Sequence, residues 1–303
     1  MIAQVYRGRF APSPTGPLHF GSLIAALASW CDARVNNGSW LVRIEDIDTP
    51  RSREGASDAI LETLSAYGFE WDGAIVRQSA RGALYQAALD DLIARGLAFR
   101  CACTRKDLEH APVGIGGERI YPGTCRNGTA PGRDARAWRL RVSDRATAFV
   151  DRLQGRQQQC LSRDVGDFVI KRADALFAYQ LAVVVDDADQ AITHVVRGAD
   201  LLASTPRQIW LQQQLQLSTP SYLHHPIAID AKGEKLSKQT RAAPLPTNPL
   251  PTLISAWQFL DQPAPPAPVA TVEEFWQWAH RAWNPRVLPP VAMLPAPRSL
   301  GTL

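Results

Sequence analysis

An α/β fold built on a parallel sheet is the fold class that this 303-residue chain predicts, from three observations. Strand-like and helix-like patterns alternate through the first hundred residues, a Pro/Gly-rich turn links the first strand to the first helix, and strand patterns resume after a Cys- and Gly-rich interruption. Val5 to Phe10 reads as the first strand and ends in the turn at residues 11–17. Leu18 to Val35 carries an Ala/Leu-rich helical pattern. Trp40 to Glu45 reads as a second strand entering the acidic turn Asp46-Ile47-Asp48-Thr49-Pro50, and Ser57 to Tyr67 and Ala83 to Arg95 read as amphipathic helices. Residues 101 to about 160 break the pattern and read as an inserted subdomain. The sheet is expected to resume at Asp167 to Lys171 and continue through Ala182 to Asp187 and Thr193 to Gly198. After Arg241 the composition shifts, with 13 of the 23 prolines in the last 63 residues, leaving room for two short helices at Leu253 to Leu260 and Thr271 to Trp283.

Composition narrows the class of protein without naming its chemistry. At 46% hydrophobic and 20% charged residues the chain can bury a sizeable core, as one large domain with appendages. Its start lacks the apolar run of a signal peptide and no stretch is long enough to span a bilayer, so a soluble cytoplasmic protein without a membrane partner is expected, with a monomer favoured. A net charge of +4 does not by itself mark a nucleic-acid binder, so any RNA contact must come from a local patch. Arg133, Arg136, Arg139, Arg141 and Arg145 form such a stretch, although alternating Arg is also how a solvated strand face reads.

Two short motifs carry most of the chemistry. A turn through Pro12, Ser13 and Gly16 delivers His19 and Gly21 to a helix start, where small residues and free N–H groups suit a nucleotide's phosphates. Near residue 240, three of the chain's five lysines, Lys232, Lys235 and Lys238, fall within seven residues. In a chain rich in Arg, that cluster suits a closing loop whose compact ammonium groups follow moving phosphate charge. Triphosphate charge implies Mg2+ beside ATP, held largely by ATP and water because no carboxylate cage is evident.

The segments Pro12-Ser13-Pro14-Thr15-Gly16-Pro17-Leu18-His19-Phe20-Gly21-Ser22 and Lys235-Leu236-Ser237-Lys238-Gln239 resemble the HIGH and KMSKS signatures of class I aminoacyl-tRNA synthetases. With Arg9 to Gly16, Arg43 to Arg51 and Ile192 to Asp200, the likeness becomes specific to the glutamyl branch and covers roughly residues 5–240. The short tail and the Cys-x-Cys insertion make the layout similar to the glutamyl-queuosine tRNA(Asp) synthetase family. That resemblance implies a class I synthetase Rossmann-like core in two halves, 1–100 and 166–240, split by the Cys-bearing subdomain 101–165. A Pro-rich helical segment, 241–303, would follow without an anticodon-binding domain. It implies His19, Lys235 and Lys238 as catalytic residues, with Pro12, Gly21 and Ser22 also on ATP. Glutamate would meet Arg9, Ala11, Ser13, Glu45, Tyr179 and Arg197, two guanidinium groups facing its carboxylates and Glu45 its ammonium. The acceptor would be queuosine in tRNA(Asp). Departures are small: Ser22 replaces the second His of one signature, and the other reads Lys-Leu-Ser-Lys-Gln.

Five cysteines with Cys101 and Cys103 two apart argue for reduced thiols or a metal rather than a disulfide framework. Cys101, Cys103 and Cys125 could hold Zn2+ with one further ligand, and such a site would knit an insertion too small for its own core. His110 in the same loop is the better ligand on chemistry alone; the family resemblance instead implies Tyr121. Cys31 and Cys160 read as ordinary packed thiols. The competing readings are a shortened glutamyl-tRNA synthetase charging tRNA(Glu) at its 3′ end, and a non-catalytic RNA-binding paralogue.

Overall fold

The computed structural model describes residues 5–236 and 243–297. Strand β1 (Arg7–Phe10) leads through the Pro/Gly turn to α1 (Phe20–Val35) and on to β2 (Ser39–Ile44), which pairs with β1 in parallel. Then follow α2 (Ala56–Ala66), β3 (Val76–Arg77), parallel to β2, and α3 (Gly82–Ala94). The second half of the core comprises α5 (Tyr179–Asp189), β9 (His194–Gly198), α6 (Thr205–Gln214) and β10 (Ser221–His225), with β9 and β10 again parallel. Arg7 and Thr193 bond backbone to backbone at 2.9 Å and bring β9 beside β1, on the side away from β2. The chain therefore reverses its winding at β1, and the crevice past the carboxyl ends of β1 and β9 is where such sheets take their ligands.

Between the halves lie β4 (Ala98–Cys101), β5 (Ala137–Leu140), the hairpin of β6 (Ala146–Asp151) and β7 (Gly155–Cys160), the short α4 (Leu161–Asp164), and β8 (Phe168–Lys171). Two expectations change here. Residues 168–171 do not resume the parallel sheet but pair antiparallel with β5, in a separate sheet of order β4-β5-β8. Residues 182–187 are not a strand but the middle of α5. A short run of Leu and Val is ambiguous between a buried strand and a buried helix, and burial of Leu181, Ala182, Val183 and Val184 on several sides outweighs the strand preference of valine.

The C-terminal part is no loose appendage. Helices α7 (Pro249–Phe259) and α8 (Val272–Ala282) share one core with α1 and the first sheet, where Trp257, Phe275 and Trp276 pack with Leu23, Leu27, Trp30 and Trp40. Trp276 also donates to the Tyr67 carbonyl at 2.9 Å, an approach that a side chain at Gly68 would block, since an added Cβ would lie 2.7 Å from the indole nitrogen. Thr271 and Glu274 close a capping box on α8, which starts the helix sharply after the Pro-rich connector. Strand β12 (Met293–Pro295) adds in parallel to β11 (Ile227–Ile229) just before the lysine loop. No helix among the described residues is long and apolar enough to cross a membrane.

Candidate active site

A cavity of about 540 Å³ opens at the predicted crevice. It is lined by Arg9, Ala11, Pro12, Ser13, His19, Gly21 and Ser22 from β1, the turn after it and the first turn of α1, and by Glu45, Tyr179, Arg197 and Lys235 from four later segments. Every described residue expected on ATP or the amino acid thus lines one space; Lys238 lies outside the described residues.

His19 is both helix cap and cavity wall. Its Nδ1 accepts from the Ser22 backbone N–H at 3.3 Å, so in the neutral ring Nε2 carries the proton. Gly21 keeps this corner open, since an added Cβ would lie 3.2 Å from the His19 ring and 3.3 Å from the Leu236 carbonyl and would have to push them back.

The charged groups sit in a buried lattice that sequence reasoning missed. Arg9 pairs with Asp187 at 3.1 Å, and the fully buried Arg43 holds Asp187 at 2.8 Å and Glu45 at 3.4 Å. Burial pushes the Glu45 carboxyl up to about 7, with Arg43 and then Arg9 opposing the shift. Burial pushes Asp187 in the same direction, but Arg9 and Arg43 together hold it below the usual carboxylate range. The signal for Asp187 was the acidic pair Asp186-Asp187, hidden by reading that segment as a strand.

Arg197 is 5% exposed, and its guanidinium is oriented from three sides. Nε donates to His224 Nε2 at 3.0 Å, and Nη2 donates to Thr205 Oγ1 at 2.8 Å and Gln208 Oε1 at 2.7 Å. Nη1 is buried without a hydrogen-bond partner among the described residues, on a side chain that lines the cavity. A buried unpaired guanidinium nitrogen is costly unless a ligand completes it, and a carboxylate is the group whose geometry does so. Burial pushes His224 down to about 4, leaving Nε2 free to accept. On the other wall Lys235 pairs with Asp200, and buried His225 uses Nδ1 on the Pro226 carbonyl at 2.8 Å.

The Glu45 shift has a testable consequence. With a folded value above the ordinary 4.5, the native protein keeps a proton that the unfolded chain releases between pH 4.5 and about 7, so stability from this site is present at low pH and lost as pH rises through about 7. Glu45→Gln without ligands is expected to melt above wild type near pH 8, the gap closing near pH 5, while its KM for glutamate rises. Thermal unfolding across pH checks the first part.

In the insertion, Cys101, Cys103 and Cys125 place their sulfurs within 4.8 Å of one another, Cys103 and Cys125 at 3.6 Å. A tetrahedral zinc with Zn–S of about 2.3 Å sets its sulfurs roughly 3.8 Å apart, so the set fits a closed site. The Tyr121 hydroxyl lies 3.5 Å from Cys101 Sγ and 3.9 Å from Cys103 Sγ. The His110 side chain is 94% exposed and faces Glu109. The Arg stretch is not one exposed patch. Arg139 is buried, 3.2 Å from Cys101 Sγ and stacked 3.8 Å over the Tyr121 ring, while Arg133 and Arg136 pair with Asp107 and Asp134.

Comparison with known proteins places this geometry. Residues 5–246 match the model of the catalytic domain of class I tRNA synthetases (E and Q). The fold is similar to a glutamate-tRNA synthetase from Elizabethkingia anophelis, with a TM-score of 0.78 at 23% identity over 97% of this chain and 68% of that one. Nearly full-length relatives include the glutamyl-Q tRNA(Asp) synthetases of Dechloromonas aromatica, 56% identical over 96% of this chain and 98% of the relative, and of Thiobacillus denitrificans, 55% identical over the same shares. The chain belongs to the glutamyl-Q tRNA(Asp) synthetase family, a branch of the class I tRNA synthetases, which are ATP-using ligases.

Proposed function

We propose that the chain activates L-glutamate with ATP and passes the glutamyl group to queuosine in the anticodon loop of tRNA(Asp). The observation that carries the amino-acid half is the Arg197 Nη1, buried without a partner among the described residues, on a cavity shared with Arg9 and Glu45. Glutamate brings two carboxylates and one ammonium, and the cavity offers two guanidinium groups and one carboxyl. Glu45, with its carboxyl near 7, accepts from the ammonium once ionised. In activation, an oxygen of the glutamate α-carboxylate bonds to the α-phosphorus while the bond from that phosphorus to the leaving pyrophosphate breaks. His19 Nε2–H donates to phosphate oxygens as charge builds, and Lys235 and Lys238 receive the pyrophosphate charge, Lys235 leaving Asp200 to do so. Mg2+ would be held here largely by ATP and water and would supply charge neutralisation of the triphosphate.

The experiment is ATP–pyrophosphate exchange with glutamate against glutamine. A neutral amide leaves a buried guanidinium uncompensated, so exchange with glutamine is expected to fall by about 10²-fold or more. Equal rates would remove the assignment of Arg9 and Arg197.

Cys101, Cys103, Cys125 and Tyr121 are proposed to hold one Zn2+ that ties the insertion together, with Arg139 compensating the negative ligand set. Elemental analysis of protein purified without added metal should give one zinc per chain. Cys125→Ser should lose it and His110→Ala should keep it; no zinc in wild type under non-chelating conditions would contradict the site.

A further inference from the structure

We propose that Asp151 and His224 form a relay that orients Arg197 for a glutamate carboxylate, which makes the inserted hairpin a positioning element of the amino-acid pocket; this rests on the glutamate reading above. Arg197 comes from β9, His224 from β10 and Asp151 from the end of β6, so three segments distant in sequence meet at one guanidinium. All three side chains are buried, at 5%, 0% and 2% exposure.

The protons follow from the partners. Asp151 Oδ1 accepts from the backbone N–H groups of Leu153 at 3.0 Å, Gln154 at 2.8 Å and His224 at 3.2 Å, which leaves Oδ2 for the ring. Oδ2 lies 2.6 Å from His224 Nδ1, and a carboxylate only accepts, so Nδ1 carries the ring proton. Nε2 is then an acceptor and takes the Arg197 Nε–H at 3.0 Å. An arginine side chain loses rotamer entropy when it is immobilised on a ligand, and fixing Nε and Nη2 in advance lowers that cost of substrate binding. Half of the hairpin's strand residues are exposed, yet it sends this carboxylate into the core. Burying a charge is costly, and here the charge sets which nitrogen of His224 carries the proton, so that the one facing the arginine is an acceptor.

Asp151→Asn tests the relay with almost no change of shape. The three backbone donors keep the amide oxygen on their side, so the amide nitrogen faces His224 Nδ1, drives the ring proton to Nε2 and sets a donor against the Arg197 Nε–H. The expected result in ATP–pyrophosphate exchange is a KM for glutamate raised at least about 10-fold, with kcat and the KM for ATP within about twofold. Nitrogen-15 NMR of labelled histidine should show the ring proton move from Nδ1 to Nε2. His224→Gln, whose amide can donate to Asp151 and accept from Arg197, should recover most of the KM that His224→Leu loses. A wild-type KM in Asp151→Asn, or His224→Gln as impaired as His224→Leu, would overturn the relay. Arg197→Lys separates the two ideas. If it raises the glutamate KM and Asp151→Asn does not, the relay fails and the pocket stands; if it leaves the KM unchanged, the pocket reading fails and the relay with it.

Discussion

His19→Asn should keep its first helix and lose its chemistry. Asparagine is among the best N-cap residues, so its side-chain oxygen can take over the Ser22 N–H that His19 Nδ1 now accepts, and the melting temperature should stay near wild type. What asparagine does not supply is the Nε2–H aimed at developing phosphate charge. Removal of one such donor costs about 3 kcal/mol in the transition state, so ATP–pyrophosphate exchange should drop by about 10²-fold while the KM for glutamate changes little. His19→Ala should show the same rate loss plus about 1 kcal/mol of lost stability, because it removes the cap as well. Lys238→Ala should match the rate loss. Exchange at the wild-type rate in His19→Asn would reduce His19 to a capping residue.

The first half of the core was legible because local pattern and tertiary role agree there. Val5 to Phe10, Leu18 to Val35 and Trp40 to Glu45 announce strand, helix and strand by period alone, and all three elements form within two residues of those bounds. Residues 179–189 were not legible, since Leu181 to Val185 carries strand-like side chains in a helix buried on several sides. Nor was the partner of β8, because a strand's period states that it pairs and not with which strand. Within the site, the cavity-lining residues proposed to touch ligand could be read from motifs, whereas those that hold them could not. Asp187, Arg43, Asp151 and His224 act through pairs separated by 27 to 178 residues, apart from the local Arg43–Glu45 contact, and no local spacing records such contacts. Beside the acidic pair Asp186-Asp187, the double histidine His224-His225 before Pro226 was a visible signal, and its role depends on an aspartate in the insertion.

The second large effect concerns the acceptor and is all or none. Queuosine carries a vicinal diol on its cyclopentene ring, which presents two hydroxyls much as a 3′-terminal ribose does, so the same adenylate can be attacked by either nucleophile. A base splayed from a single-stranded loop can be stacked and hydrogen-bonded in a pocket of this kind. Attack by a diol oxygen on the glutamyl carbonyl forms the ester and releases AMP. Periodate cleaves the diol, and with the 3′ end protected it does so only at the modified base. The deciding measurement is therefore transfer of radiolabelled glutamate to tRNA(Asp) carrying queuosine, compared after periodate oxidation with a protected 3′ end and after removal of the 3′-terminal adenosine. Oxidation should abolish acceptance and trimming should spare it; acceptance that survives oxidation and is lost on trimming would make this a shortened glutamyl-tRNA synthetase and contradict the account.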